Sequence, residues 1–184
     1  MTNWHIKQAV GCLTAGGIIA YPTEAVYGLG CDPLNEIAVT RLLALKQRSW
    51  QKGLILIAAN FAQLVPFLKP LTPMLEKRVF ATWPGAVTWL LPAHSVVPHW
   101  LRGKSNQLAV RVTAHSQVIA LCEQWGGALV STSANITNRP AAKTTFKVRQ
   151  AFGNTLDYIV PGQVGRQERP SEIREGLTNT VLRV

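Results

Sequence analysis

The 184-residue chain contains 47% hydrophobic and 15% charged residues, and its 19 lysines and arginines against 9 aspartates and glutamates give a formal charge of +10. The length fits one globular domain with a sizeable core, and the composition excludes an intrinsically disordered protein. The longest apolar runs are far shorter than a membrane-spanning helix and the N-terminus has no signal-peptide pattern, so we expect a soluble, cytoplasmic protein.

The excess of basic residues predicts an anionic partner. Charge alone does not decide whether that partner is a nucleotide, a nucleic acid or both. The basic residues form no long run, so folding must bring them together. Cys12, Cys31 and Cys122 are irregularly spaced, without a CxxC pair or clustered histidines. This pattern predicts buried thiols rather than a zinc site or a reactive nucleophile.

The first part of the chain predicts a helix, a strand and a second helix. Asn3 can cap a helix that runs to about residue 15 and ends at a Gly-Gly pair. The apolar run 18–21 predicts a buried strand, which Pro22 stops because proline cannot donate to a sheet ladder. A helix over about 35–47 follows, and the cations at its end suit the helix dipole.

The stretch 18–30 predicts a functional site. Thr23 and Glu24 stand where the strand passes into a loop, which is the usual place for groups that contact a ligand. Gly28 and Gly30 allow backbone geometry or a close approach that a side chain would block. An ordinary strand and turn would use the same residues, so this stretch alone leaves both interpretations open.

The middle of the chain predicts a doubly buried strand over 54–58 and a helix over 72–82 that opens with a proline. Strands are predicted over 86–91 and 108–112, and Arg111 lies among apolar residues in the second of them. Either Arg111 faces solvent at a sheet edge, or it is half-buried beside an anion, because an unpaired buried guanidinium is costly.

The last third of the chain predicts further alternation: helices over 118–125 and 144–152, and extended segments over 128–130, 157–160 and 180–184. The sequence STSAN at 131–135 follows an extended segment, and its hydroxyl, amide and backbone N–H groups can bind phosphate or carboxylate. The segment 162–169 predicts a Gly/Arg-rich loop. Because helices and strands interleave, we predict an α/β fold with a twisted mixed sheet.

Several familiar signatures are absent from the sequence. The pair Gly28 and Gly30 lacks the third glycine of a dinucleotide-binding fingerprint, and no GxxxxGK[ST], HExxH or GxSxG occurs. A nucleophilic Ser131 or Ser133 would need a paired base, and the four histidines lie in poor contexts for that role.

Six motifs together carry a family resemblance. They are, in chain order, YPTEAVYGLG (21–30), KQR (46–48) with Lys52, WPGAVT (83–88), AVRV (109–112), STSAN (131–135) and PSEI (170–173). This ordered set resembles the YrdC/Sua5 family of threonylcarbamoyl-AMP synthases. Because the chain ends just beyond the set, we expect its short form: one YrdC-like domain over 1–184, with the motifs at about 18–175 and no Sua5 C-terminal domain.

The resemblance implies a twisted mixed sheet with flanking helices and a central concave basic cleft. It implies a nucleotidyltransferase that converts ATP, L-threonine and bicarbonate to L-threonylcarbamoyladenylate and pyrophosphate. The product serves the t6A modification of ANN-decoding tRNAs, for which the implied partners are tRNA and the proteins TsaB, TsaD and TsaE. Mg²⁺ is expected to arrive on the ATP phosphates rather than in a protein cage.

The resemblance also assigns residues to roles. The implied catalytic residues are Lys46, Arg48 and Arg111. The implied threonine-binding residues are Thr23, Arg111, Ser131 and Ser171, with Arg111 as a bidentate partner for the carboxylate. The implied ATP-binding residues are Lys46, Arg48, Lys52, Ser133 and Asn135. No general base and no metal ligand are assigned.

Some positions depart from the family pattern. Ala25 and Ala86 replace Thr and Pro, and Lys52-Gly53 stands where many relatives have Asn-Pro. The segment 137–140 has the sequence TNRP in place of the common SGxP, which adds a cation. Glu172 makes the sequence at 170–172 PSE, where PST is usual. The phosphate contact near Lys52 and the role of the tail depend on these departures.

A basic RNA-binding module for double-stranded RNA, tRNA or precursor rRNA is the alternative, and the charge supports it equally. RNA binding through phosphates weakens steeply with salt, whereas a preorganised threonine pocket discriminates threonine from serine and valine. A purely structural α/β domain would leave Arg111 and the STSAN segment without a purpose.

Overall fold

The computed structural model describes residues 3–183. Within that range the helices are α1 (Asn3–Thr14), α2 (Glu36–Leu45), α3 (Pro73–Phe80), α4 (His99–Arg102), α5 (Ser116–Trp125) and α6 (Thr145–Phe152). The strands are β1 (Ile19–Pro22), β2 (Tyr27–Gly30), β3 (Ile55–Ala58), β4 (Val87–Pro92), β5 (Gln107–Val112), β6 (Leu129–Ser133), β7 (Tyr158–Ile159), β8 (Glu172–Glu175) and β9 (Val181–Arg183). Short 3-10 turns lie at Trp50–Lys52, Phe61–Gln63 and Val65–Phe67.

The described strands form one mixed sheet in the order β7-β1-β2-β6-β3-β5-β4-β8-β9. The pairs β1/β7, β3/β5 and β4/β8 are parallel, and the others are antiparallel. This confirms the prediction of an α/β fold with a mixed sheet. It also places β5 in the interior of the sheet, between β3 and β4.

Helices cover both faces of the sheet and divide the core in two. The larger cluster packs α2, α3 and α6 against one face, and the smaller packs α1 and α5 against the other. Leu56 belongs to the larger cluster and its neighbour Ile57 to the smaller. These two residues lie in β3, so the prediction that the strand over 54–58 is buried on both faces is confirmed.

The helix signals in the sequence largely correspond to the observed ends. The Asn35 side chain caps α2 by accepting from the Ala38 amide at 3.0 Å. Thr72 and Thr144 cap α3 and α6 in the same way. The predicted cap at Asn3 is wrong, because α1 already includes that residue. No helix within 3–183 is long and apolar enough to cross a membrane.

The predicted end of the first strand is confirmed, because β1 ends at Pro22, which lies opposite Tyr27 in the pairing with β2. Gly28 and Gly30 lie in β2 rather than in a loop. The predicted close approach at Gly30 is confirmed, because a Cβ there would overlap the Val130 carbonyl oxygen and lie 2.8 Å from the Tyr21 ring.

The C-terminal third departs further from the sequence predictions. The STSAN segment is not a loop throughout, since β6 extends to Ser133. The PSEI segment, read as part of a tail, leads into β8, which pairs with β4. The predicted last strand is observed as β9, and Val184 lies outside the described residues. Cys31 and Cys122 are buried as predicted, whereas Cys12 is only half-buried.

We expect Gly30→Ala to lower the free energy of unfolding by about 1–3 kcal/mol, the usual cost of forcing extra atoms into a packed interior. The matched control is Gly11→Ala in α1, where an added Cβ meets nothing within 4 Å. That change should stabilise the protein by about 0.5–1 kcal/mol, because alanine is the better helix former. Urea unfolding of both variants measures the difference, and equal stabilities would contradict the assigned close approach.

Candidate functional site

A cavity of about 410 Å³ lies at the junction of five parts of the chain. Its walls come from the turn between β1 and β2, the segment 48–55, the segment 101–111, β6 and the tail 170–183. Seven of the nine predicted site residues line it: Thr23, Arg48, Lys52, Arg111, Ser131, Ser133 and Ser171. Lys46 and Asn135 do not line it.

The cavity is strongly basic. Of the described residues that line it, five are cationic and one is acidic: Arg48, Lys52, Arg102, Arg111 and Arg183 against Glu24. The cations are close enough to influence one another, since burial and then the charges of Arg111 and Arg48 lower the pKa of Arg183. Such a concentration of positive charge favours an anionic ligand with several charges.

Arg111 is buried in the interior of the sheet and does not lie at an edge. It is 6% exposed, and its Nη1 lies 2.9 Å from Oε2 of Glu24. Of the two alternatives drawn from the sequence, the second is therefore correct, and the anion is a carboxylate of this chain. The Arg111 Nε atom is also buried and has no hydrogen-bond partner among the described residues.

Glu24 is held on its other side by the segment after β5. Its Oε1 accepts from the Thr113 hydroxyl at 2.6 Å and from the Ala114 amide at 3.3 Å. Burial by itself would raise the pKa of Glu24, but the Arg111 charge and these hydrogen bonds outweigh it and hold that pKa below its usual value. The carboxylate is therefore ionised at neutral pH.

The turn between β1 and β2 is closed by Thr23. Its amide and its hydroxyl both donate to the Val26 carbonyl, at 3.0 and 2.8 Å. The side chain is 6% exposed and lines the cavity. Because its proton is used inside the turn, the hydroxyl oxygen can offer a ligand only an acceptor in this arrangement.

Lys46 lies behind the cavity wall and joins two distant motifs. Its Nζ donates to the carbonyl oxygens of Ser133 and Asn135, the latter at 2.7 Å, and lies 3.4 Å from the Asn135 Oδ1. Only 3% of the residue is exposed. Burial and the nearby Arg48 charge lower the pKa of Lys46 to about 8. In this structure its contacts hold the end of β6 in place.

Asn135 completes this support on the side away from the cavity. Its Oδ1 accepts from the Ser133 hydroxyl at 2.6 Å, and its Nδ2 donates to the Arg139 carbonyl at 2.8 Å. Thr137 donates its hydroxyl to the Lys46 carbonyl at 2.7 Å. The segment that departs from the family pattern is thus connected to the KQR motif by hydrogen bonds.

Arg48 and Lys52 reach the cavity from the segment after α2. The Arg48 Nη2 donates to the Gly53 carbonyl at 2.9 Å, and its Nε is buried without a hydrogen-bond partner among the described residues. Gly53 has a φ of +63°, and a Cβ there would lie 3.1 Å from the Leu101 carbonyl oxygen. The glycine after Lys52 therefore allows α4, and with it Arg102, to pack against this segment.

The tail forms one wall of the cavity. The Ser171 hydroxyl lies 2.9 Å from that of the buried Thr88, and the Ser171 carbonyl accepts from Arg183 at 2.8 Å. Ser171 is thus bound to β4 on one side and to β9 on the other. This arrangement defines the position of a segment whose role the sequence left open.

Sequence reasoning missed Arg102 and Arg183. Neither belongs to a motif, and each reaches the cavity through a contact between distant segments. Arg183 lies beside Ile173 in the pairing of β8 with β9. A lone arginine in a terminal strand gives no sequence signal, because only that pairing brings it to the site.

The fold and the cavity together define a class: α/β proteins with one mixed sheet and a cavity lined by several cationic residues. The sequence model of the Sua5/YciO/YrdC family, described as "Telomere recombination", matches residues 11–184. The chain belongs to this family, as its motifs predicted.

Two relatives share most of their length with this chain. A protein of Nitrosococcus oceani named threonylcarbamoyl-AMP synthase is 56% identical, with 98% of each chain covered. A protein of the same name from Coxiella burnetii is 48% identical, over 97% of this chain and 96% of its own.

Solved structures show the same fold. P. abyssi Sua5, solved as a complex with L-threonine, has a TM-score of 0.89 at 32% identity over 95% of this chain. The match spans 52% of the length of that protein. E. coli YciO has a TM-score of 0.83 at 24% identity, over 99% of this chain and 89% of its own. The predicted YrdC-like fold is confirmed.

The depressed pKa of Lys46 predicts a pH effect on stability. In the folded protein the pKa of Lys46 is about 8, which is below its value of 10.5 in an unfolded chain. Between these two values the unfolded chain binds more protons than the folded protein, so the free energy of unfolding rises with pH. Lys46→Met removes this titration. We expect the wild type to gain stability relative to Lys46→Met as the pH rises from 8 towards 10, measured by urea unfolding, and parallel pH profiles would contradict the shifted pKa.

Proposed function

We propose that this protein is a threonylcarbamoyl-AMP synthase, which makes L-threonylcarbamoyladenylate and pyrophosphate from L-threonine, bicarbonate and ATP. The observation that carries the proposal is the cavity of about 410 Å³, whose described lining includes five cationic residues and one acidic residue. That volume lies within the range of about 300–1,000 Å³ that is usual for small-molecule sites. The names of the relatives described above support the same reaction.

The reaction proceeds in two steps that suit such a cavity. The threonine amine attacks the carbon of bicarbonate and water leaves, which gives a carbamate. A carbamate oxygen then attacks the α-phosphorus of ATP, the bond to the bridging oxygen breaks, and pyrophosphate leaves. Both steps bring anions together, so the protein contributes chiefly by positioning the reactants and balancing their charge.

The residues divide between the two substrates. Arg111 binds the threonine carboxylate, because a guanidinium offers two parallel N–H donors. The other residues of this subsite are Thr23, Ser131 and Ser171. Arg48, Lys52 and Ser133 bind the triphosphate, and the cations that the sequence did not reveal, Arg102 and Arg183, join them. Lys46 and Asn135 contribute from behind, by holding Ser133.

Mg²⁺ enters the proposal as the companion of ATP. Carboxylate oxygens are the usual protein ligands for this ion, and the one acidic residue lining the cavity, Glu24, already pairs with Arg111. The lining therefore suits an ion carried by the phosphates better than one held by protein groups. Such an ion would neutralise part of the charge on the leaving pyrophosphate.

The product of this reaction is a reactive mixed anhydride, so a consumer must follow. We assign that role to the t6A machinery, TsaB, TsaD and TsaE, which would modify ANN-decoding tRNAs in the cytoplasm. The support for these partners is the proposed product itself, whose threonylcarbamoyl group is the one that t6A contains.

The first test measures pyrophosphate released from ATP by the purified protein, with and without L-threonine and bicarbonate. We expect release to require both co-substrates and to prefer threonine over serine, since a site built for the extra methyl discriminates by about 10–200-fold. Release that ignores threonine, or no release under any condition, would refute the synthase assignment.

A second test concerns Arg111. We expect Arg111→Ala to lower threonine-dependent pyrophosphate release by about 100-fold or more, because truncating one member of a buried charge pair costs about 2–5 kcal/mol. Arg111→Lys keeps the charge but not the two parallel donors, so it should raise the KM for threonine more than that for ATP. The control is Arg149→Lys on the exposed side of α6, and wild-type kinetics in both Arg111 variants would exclude this role.

RNA binding remains a second candidate function, favoured by the charge outside the cavity. Only five of the 19 lysines and arginines line the cavity, so most positive charge is elsewhere on the molecule. We expect tRNA binding, measured by filter retention, to weaken steeply between about 50 and 200 mM salt. Threonine-dependent synthesis should be much less sensitive over that range, and binding that is unaffected by salt would exclude a phosphate-driven interface.

A further inference from the structure

Among the described residues that line the cavity, Glu24 is the one acidic residue, which is unexpected in a site for anionic substrates. Glu24 lies among five cations in a site whose proposed substrates carry several negative charges. An anion entering the cavity is repelled by this group. Glu24 is also only 9% exposed: its Oε1 accepts from Thr113 and Ala114, whereas its Oε2 lies 2.9 Å from the Arg111 Nη1 but has no hydrogen-bond partner among the described residues. The charged group nearest to this carboxylate is Arg111, so it acts on a ligand through that guanidinium and through its own charge.

The ion pair makes Arg111 different from the other cations of the cavity. The ion pairs among residues 3–183 are Arg41–Asp157, Arg111–Glu24 and Arg174–Glu172. Arg48, Arg102 and Arg183 instead donate to the neutral carbonyl oxygens of Gly53, Val97, Ser105 and Ser171. Within residues 3–183 no carboxylate pairs with these three arginines, whereas the charge of Arg111 is balanced by a carboxylate 2.9 Å away.

This difference matches the difference between the two proposed substrates. A triphosphate carries several negative charges, and uncompensated cations attract it most strongly. At Arg111 the attraction of the guanidinium is largely offset by the repulsion of Glu24. An α-amino acid in its zwitterionic form has no net charge. Glu24 repels its carboxylate but attracts its ammonium group.

We infer that Glu24 is a positioning residue that reserves Arg111 for the amino-acid substrate by orienting its guanidinium and balancing its charge, so that polyphosphate occupies the other cations. This inference rests on the proposed function and adds to it a rule for how one basic cavity keeps two anionic substrates apart.

The backbone around Glu24 is held as firmly as its side chain. The carbonyl oxygens of Thr23 and Glu24 accept from the amides of Gly165 and Gln167, at 2.9 and 3.1 Å. A Cβ on Gly165 would lie 2.6 Å from the Glu24 carbonyl oxygen, so only glycine allows this approach. Because the segment 165–167 holds its backbone and the segment after β5 holds its side chain, the carboxylate keeps a fixed position beside Arg111.

The test compares Glu24→Gln with Glu123→Gln, which removes the same charge from an exposed position on α5. Glu24→Gln is expected to raise the KM for threonine by about tenfold or more while changing the KM for ATP by less than about twofold. The Glu123→Gln variant should behave as the wild type. A loss of structure alone would not separate the two KM values in this way.

A binding measurement gives a readout that needs no synthesis. Threonine is titrated into each protein by calorimetry, with and without inorganic tripolyphosphate as the polyanion. In the wild type, tripolyphosphate should leave threonine affinity within about twofold, whereas in Glu24→Gln it should weaken that affinity by about tenfold through competition for Arg111.

Thr113→Val provides a second variant in case Glu24→Gln fails to fold. It keeps the shape of a fully buried side chain and removes the hydroxyl that donates to Glu24. It should raise the KM for threonine in the same direction, to a smaller extent, because Glu24 is then less well oriented.

The outcomes distinguish this inference from the proposed function. A wild type that releases no threonine-dependent pyrophosphate refutes the synthase proposal, whatever Glu24 does. An active wild type whose threonine KM and tripolyphosphate sensitivity are unchanged in both Glu24→Gln and Thr113→Val overturns the role given to Glu24.

Discussion

The ion pair between Arg111 and Glu24 is the constraint on which the rest of the site depends. A guanidinium in an interior strand is too costly to bury alone, so some carboxylate has to meet it. The carboxylate comes from the turn between β1 and β2, 87 residues away along the chain. Together with the hydrogen bonds from Thr113 and Ala114 to Glu24, this contact holds the turn against the end of β5. The Arg111 Nε has no hydrogen-bond partner among the described residues, so it can donate to a ligand.

Two further connections between distant segments complete the cavity. Lys46 holds the end of β6 through the carbonyl oxygens of Ser133 and Asn135, and so brings the KQR and STSAN motifs together. The segment before the tail is held by backbone hydrogen bonds from Gly165 and Gln167 to the turn between β1 and β2, and the tail itself by the pairing of β8 with β4. In both cases the motif residues position other residues. In this chain, therefore, some motif residues support the cavity wall from behind rather than lining it.

The sequence predicted much of this molecule through short-range signals. Apolar periodicity and capping residues such as Asn35 and Thr72 located every described helix except the short α4 to within a few residues, because those signals act within one turn. The ordered motifs identified the family and seven residues of the cavity lining. The errors occurred where pairing overrides local preference. The strands β2 and β8 exist because neighbouring strands supply partners to segments that resemble loops in the sequence.

What the sequence determined by itself was therefore the fold class, the family and the excess of positive charge. What only the tertiary structure decided was where that charge is balanced. The sequence left two environments open for Arg111, and it gave no sign of Arg102 or Arg183 as members of the site. The physical reason is that local propensity depends on neighbours along the chain. Ion pairing and desolvation instead depend on distances through space, which are set only when the sheet has assembled.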